Sequence, residues 1–103
     1  MIYNKLVRDR IPEIIESKGG KAAFCQLSDR DYPRYLEAKL DEEVAEYHKD
    51  KTVEELADIL EVVIALAADL GVSKEQLWDI YQQKHDARGG FEKKLLLIRS
   101  EEC

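Results

Sequence analysis

An all-α domain of four to five helices, with an antiparallel helix hairpin at its centre, is the fold this sequence predicts. Three observations carry that expectation. Apolar residues recur at helical spacing through the middle of the chain. Two capping signatures, T-x-x-E at Thr52–Glu55 and S-x-x-Q at Ser73–Gln76, open long segments. Only the short polar break "KDKT" separates the two central segments, so they must lie side by side and antiparallel.

The elements follow in order. "RIPEIIESKGG" predicts a short helix, with Pro12 suited to a first turn and Gly19-Gly20 as its stop. Asp9 is a candidate cap for it. "KAAFCQLS" has no clear period and is expected to be extended or loop. Ser28 with Asp31 offers a capping-type start, and Pro33 again fits a first turn. A helix is then expected from about Tyr32 to His48, with Tyr35, Leu36, Leu40, Val44 and Tyr47 on its apolar side. From Thr52 a second long helix runs to Asp69–Leu70 and ends at Gly71. It is apolar around most of its circumference, which predicts burial between its own core and a second subunit. Ser73 opens a third long helix that stops at Gly89-Gly90. The tail "FEKKLLLIRS" is compatible with a short strand or a last helical turn. There is no internal repeat, low-complexity segment or linker.

The chain has 103 residues, 45% hydrophobic and 37% charged, with a net charge of -6. That length suits one domain over 1–103, and a shared interface would help so small a core. The acidic balance argues against a general nucleic-acid binder. Its two cysteines, Cys25 and Cys103, form neither a disulfide framework nor a zinc pattern. The start "MIYNKLVRDR" lacks the apolar core of a signal peptide, and no apolar stretch is long enough to span a bilayer. A reduced cytoplasmic setting is expected.

The segment Lys39–Val63 holds nine carboxylates beside the most apolar part of the chain. Glu46 lies four residues before the turn at Asp50–Thr52, and Glu55 three residues after it. Both are therefore about 5–6 Å from the turn at 1.5 Å per residue. Glu43 and Asp58 lie one helical turn further out. Glu43/Glu46 and Glu55/Asp58 are i,i+3 pairs, so each pair shares a face. Packed helices lie about 8–10 Å apart, and four carboxylates at two matched levels can close that gap around a cation. Hard oxygen donors without His or Cys favour magnesium, with manganese also possible. The chemistry suggested is metal-assisted attack of water on a phosphate chain. The alternative is a solvated acidic face.

The pattern "EEVAE" followed by "EELADIL" resembles the all-α nucleoside triphosphate pyrophosphohydrolases, which include the MazG-type enzymes, dimeric dUTPases and phosphoribosyl-ATP pyrophosphohydrolases. Their E-x-x-E, spacer, E-x-x-D motif corresponds here to Glu43, Glu46, Glu55 and Asp58. "NKLVRDRIPEII" and "RGGFEKK" resemble a small-protein, MazG-like or phosphoribosyl-ATP pyrophosphohydrolase-like branch. The spacer of eight residues between Glu46 and Glu55 is shorter than in typical MazG-type enzymes, which bears on the substrate rather than on the metal site. The resemblance implies magnesium-dependent cleavage of a nucleoside triphosphate between the α and β phosphates, with those four acids as catalytic metal ligands. House-cleaning of non-standard nucleotides is one setting for such an activity. The alternatives are phosphoribosyl-ATP hydrolysis and a non-enzymatic helical interaction module. A homodimer or tetramer is expected, and neither nucleic acid nor membrane as partner.

A triphosphate needs positive charge besides a metal. Lys5 and Arg8 crowd the start of the chain and are expected to contact substrate. Lys84 and Arg88, i,i+4 on one helix face, resemble a K-x-x-x-R pattern that implies a phosphate-facing role. Both ends of the chain must then fold back over the central pair. Lys39, one turn before Glu43, is placed to partner the acids or to reach a phosphate. Glu42 and Glu61 are spare carboxylates, either of which is a candidate base or outer ligand, with Glu42 the better candidate for a solvated residue. His48 and His85 are expected at the surface, Trp78 and Tyr81 in a core or interface, and Cys25 buried.

Overall fold

The computed structural model describes residues 3–101. These form four helices, α1 (Ile11–Ser17), α2 (Tyr32–Asp50), α3 (Val53–Asp69) and α4 (Lys74–Arg88), and no strand. The all-α expectation is met. The segment after Gly90 is neither a strand nor a helical turn; it makes one turn around Phe91–Lys93 and then has no regular structure among the described residues.

Local signals set the helix ends. Pro12 lies in the first turn of α1, whose N-cap is Arg10 with no side-chain capping bond, so Asp9 does not cap it. Gly19, at φ 79°, takes the left-handed conformation that ends α1. The Ser28 hydroxyl accepts from the Asp31 N–H at 3.2 Å just before α2. The Thr52 hydroxyl accepts from the Glu55 N–H at 3.4 Å, a cap that contributes about 1 kcal/mol. In α4 the full reciprocal box forms between Ser73 and Gln76.

α2 runs two residues further than its apolar period indicates. Lys51 closes it in the left-handed region, at φ 52°, with its N–H donating to the Tyr47 carbonyl at 2.7 Å. Only Lys51 and Thr52 then separate α2 from α3, and these two helices make the most extensive helix–helix contact of the fold. α4 touches α3 alone among the helices.

The core is thin. Among the described residues, Leu36 of α2 and Val62 and Ala67 of α3 are the buried apolar residues, and no polar residue is buried. Val53, Leu56 and Leu60 of α3, and Leu70 just beyond its end, remain exposed, so one chain alone does not bury this helix. Trp78 and Tyr81 are also exposed rather than core, and Cys25 is exposed rather than buried. Cys25 lies in a stretch without regular structure, where nothing packs over it. The radius of gyration is 18.1 Å, against about 13 Å for a compact chain of this length. No helix of the described residues is long and apolar enough to cross a membrane.

Candidate metal centre

The short link between α2 and α3 sets carboxylates from both helices against one another. Glu43 from α2 and Glu55 and Asp58 from α3 each offer an oxygen, and these three oxygens lie within 4.8 Å of one another. Glu46, Asp50 and Glu55 form a second such group. The four acids singled out by spacing thus fall into two overlapping groups that share Glu55. Asp50 is the member that the sequence did not single out. Its signal was its place four residues after Glu46, on one face of a helix that runs on to Asp50, into the first half of "KDKT".

Crowding raises the Glu55 carboxyl above its ordinary value of 4.5. Lost hydration contributes first, then repulsion from Asp58, Asp50, Glu46 and Glu43. Glu55 is then a better proton holder in the folded chain than in the unfolded one. As pH rises from 4.5 through the raised value, stability falls, because the folded chain must give up a proton it holds more tightly. Glu55→Gln is therefore expected to raise the melting temperature of the metal-free protein at neutral pH, and the gain should shrink toward zero as pH falls to about 4.5, Glu55's ordinary value. Thermal denaturation across that pH range, in chelator, checks it.

Basic side chains pair with several of the acids. Arg8 Nη2 donates to Asp58 Oδ1 at 2.7 Å. Lys39 Nζ lies 3.2 Å from Glu43 Oε1 and 3.3 Å from Glu42 Oε2, and Lys5 Nζ is 3.3 Å from Glu42 Oε1. Glu42 is thus held between two lysines rather than simply solvated. Partial burial pushes its carboxyl up, but Lys5 and Lys39 outweigh that and hold it below its ordinary value. Its contribution to stability is present above pH 4.5 and is lost as pH falls through the lowered value. Lys39 serves the acids. Glu61 is exposed and outside both acidic groups.

The other basic pair lies elsewhere. Lys84 and Arg88 line an open groove at the end of α4 with Tyr81, His85, Phe91 and Glu92. Neither makes an ion pair among the described residues. The N-terminal segment reaches both α2 and α3 through Lys5 and Arg8, whereas α4 touches α3 and not α2. In this structure Lys5 and Arg8 pair with acids of α2 and α3, whereas Lys84 and Arg88 line a separate groove. His48 is exposed, and His85 is half-buried with its ring stacked on Tyr81 at 5.9 Å.

The donor set fits a hard divalent cation. All its atoms are carboxylate oxygens from two rigid helices, at a mutual spacing one ion can span. The same acids are otherwise matched only by Arg8 and Lys39, and the Glu46–Asp50–Glu55 group has no cationic partner among the described residues.

Comparison with known proteins adds a partial likeness. The chain is 57% identical over 42 residues to an uncharacterized protein of Mycolicibacterium smegmatis. The match covers 41% of this chain and 43% of that protein's length. No protein-family model matches the chain, and no solved structure does.

Proposed function

We propose that the protein is a magnesium-dependent nucleotide pyrophosphohydrolase, cleaving a nucleoside triphosphate between its α and β phosphates. The observation that carries the reading is the convergence of Glu43, Glu55 and Asp58 oxygens within 4.8 Å, from two helices, with the Arg8 guanidinium on Asp58. The resemblance of "EEVAE…EELADIL" to the MazG-type motif supports the same chemistry. Glu43, Glu55 and Asp58 would hold the ion, with Glu46 and Asp50 as a second carboxylate group beside them. A bound magnesium supplies positive charge against the phosphate oxygens.

The chain's own residues do the rest. Arg8 uses one of its five N–H donors on Asp58, which leaves the fork free to take phosphate oxygens. Lys39 is fixed by Glu42 and Glu43 and sets a positive charge beside Glu43. Arg8→Ala is expected to lower kcat/KM about ten- to a hundredfold, the equivalent of one charge-assisted contact of roughly 1.5–3 kcal/mol. Steady-state kinetics at saturating magnesium checks it. Two copies assemble in this reading, with α3 near the interface, because its exposed apolar residues cannot stably face water.

The test of the activity is a screen of normal and damaged nucleoside triphosphates with pyrophosphate release measured. Magnesium-dependent release from at least one of them is expected. Release from none, with magnesium or manganese present, contradicts the reading.

A further inference from the structure

We propose that the segment Phe91–Ile98 of one copy lies along the exposed stripe of α3, formed by Val53, Leu56 and Leu60, of a second copy. The inference rests on the two-copy reading above and names the segment that holds the copies together. Each copy gives one arm and takes one, as two-fold symmetry requires.

Two of the bare apolar surfaces among the described residues, which also include Trp78, Ile80 and Tyr81 of α4, suit one another. Leu95, Leu96, Leu97 and Ile98 are each between 80% and 89% exposed, and Phe91 is 97% exposed. Four consecutive apolar residues in water, on a segment without helix or strand, are not a surface a single chain keeps without cost. The second surface is on α3. Val53, Leu56 and Leu60 recur at i, i+3 and i+7, so they form one stripe. Further along the same stripe Ile64 is half-buried and Ala67 buried, toward the end of α3 from which the chain turns into α4. α4 thus leaves the first half of the stripe bare.

The arm of the same chain is badly placed to cover it. The stripe lies at the end of α3 that joins α2, whereas the arm follows α4, which departs from the opposite end. The α2–α3 pair is about 28 Å long at 1.5 Å per residue, less than half of the molecule's 62 Å length. A second copy has no such constraint.

Charge and area agree with that occupant. Lys93, Lys94 and Arg99 flank the apolar run of the arm. Glu54 and Glu61, i,i+7 on α3, border the stripe, and neither has an ion-pair partner among the described residues. A basic-flanked apolar strip therefore meets an acid-bordered apolar stripe. The chain exposes 9643 Å², against about 5,900 Å² for a compact monomer of this mass. The surplus well exceeds the roughly 800 Å² per partner of a standard interface.

Sedimentation velocity on three full-length chains at micromolar concentration tests the proposal. These are the wild type, the arm variant L95S/L96S/L97S/I98S, and the stripe variant Leu56→Lys. All the substituted positions are exposed in the single chain, and far-UV circular dichroism is expected to show unchanged helix content. The wild type should sediment as a dimer. Each variant should self-associate about a hundredfold more weakly or worse, since apolar cover is lost at both arms. Mixing the two variants should restore association, because the arm of the stripe variant still fits the α3 of the arm variant. An arm variant that remains a dimer overturns the arm while leaving the two-copy reading intact. Failure of the mixed variants to associate also overturns it. A wild type that sediments as a folded monomer overturns both.

Discussion

Replacing Asp58 by Asn is expected to lower magnesium-dependent pyrophosphate release about a thousandfold, which corresponds to several kcal/mol of transition-state stabilisation. Asp58 is one of three carboxylates whose oxygens converge within 4.8 Å, and it is also the acceptor that positions Arg8 at 2.7 Å. Asparagine keeps the shape and removes the charge, so both the proposed cation site and the guanidinium lose their anchor. The fold should survive, because the Asp58 side chain is 42% exposed and its ion pair lies at the surface, where such pairs contribute about 0–1 kcal/mol. Steady-state rates with unchanged circular dichroism check this. A rate within about twofold of wild type, under about 0.5 kcal/mol, would assign Asp58 to an ordinary acidic surface.

The largest expected effect on stability comes from Leu36→Ala. Leu36 is 2% exposed and is the largest fully buried side chain of a core that, among the described residues, otherwise holds only Val62 and Ala67. Removing it costs about 2–5 kcal/mol in transfer and cavity terms. That is a large part of the roughly 5–15 kcal/mol available to a domain, and it should lower the melting temperature by about ten degrees or more. Urea unfolding at one fixed protein concentration is the measurement, since association adds to apparent stability. A loss below about 0.5 kcal/mol would mean that the stabilising core lies between copies and not within one.

What could be seen in the sequence was what local chemistry decides. Thr52, Ser73, Pro33, Gly19, Gly71 and Gly89 mark helix ends through bonds or φ values that involve only near neighbours, and all lie at or beside helix ends. The facing of Glu43 with Glu55 and Asp58 was legible for the same reason, since a two-residue link leaves two helices little choice. Asp50 was hidden because "KDKT" looks like a linker. Lys51 takes a left-handed φ that lysine rarely favours, so α2 ends after Asp50 rather than at the start of the polar break. Arg8–Asp58 and Lys5–Glu42 join positions 50 and 37 residues apart, so their pairing depends on how the first segment crosses α2 and α3. The path of α4 was not legible either. Four residues, Leu70–Ser73, set its direction, and nothing in their types specifies an angle. That is why Lys84 and Arg88 sit in their own groove and not over the acids of the same chain.

The central claim is that the carboxylates of α2 and α3 form a cation site. Calorimetric titration of magnesium into the full chain, and into the Glu43→Gln, Asp58→Asn double variant, tests it most directly. The account predicts saturable binding to the wild type and none to the variant, whose metal-free form should also melt no lower than wild type because repulsion within the cluster is relieved. Equal magnesium affinity in the two proteins, or no binding to the wild type, would contradict it.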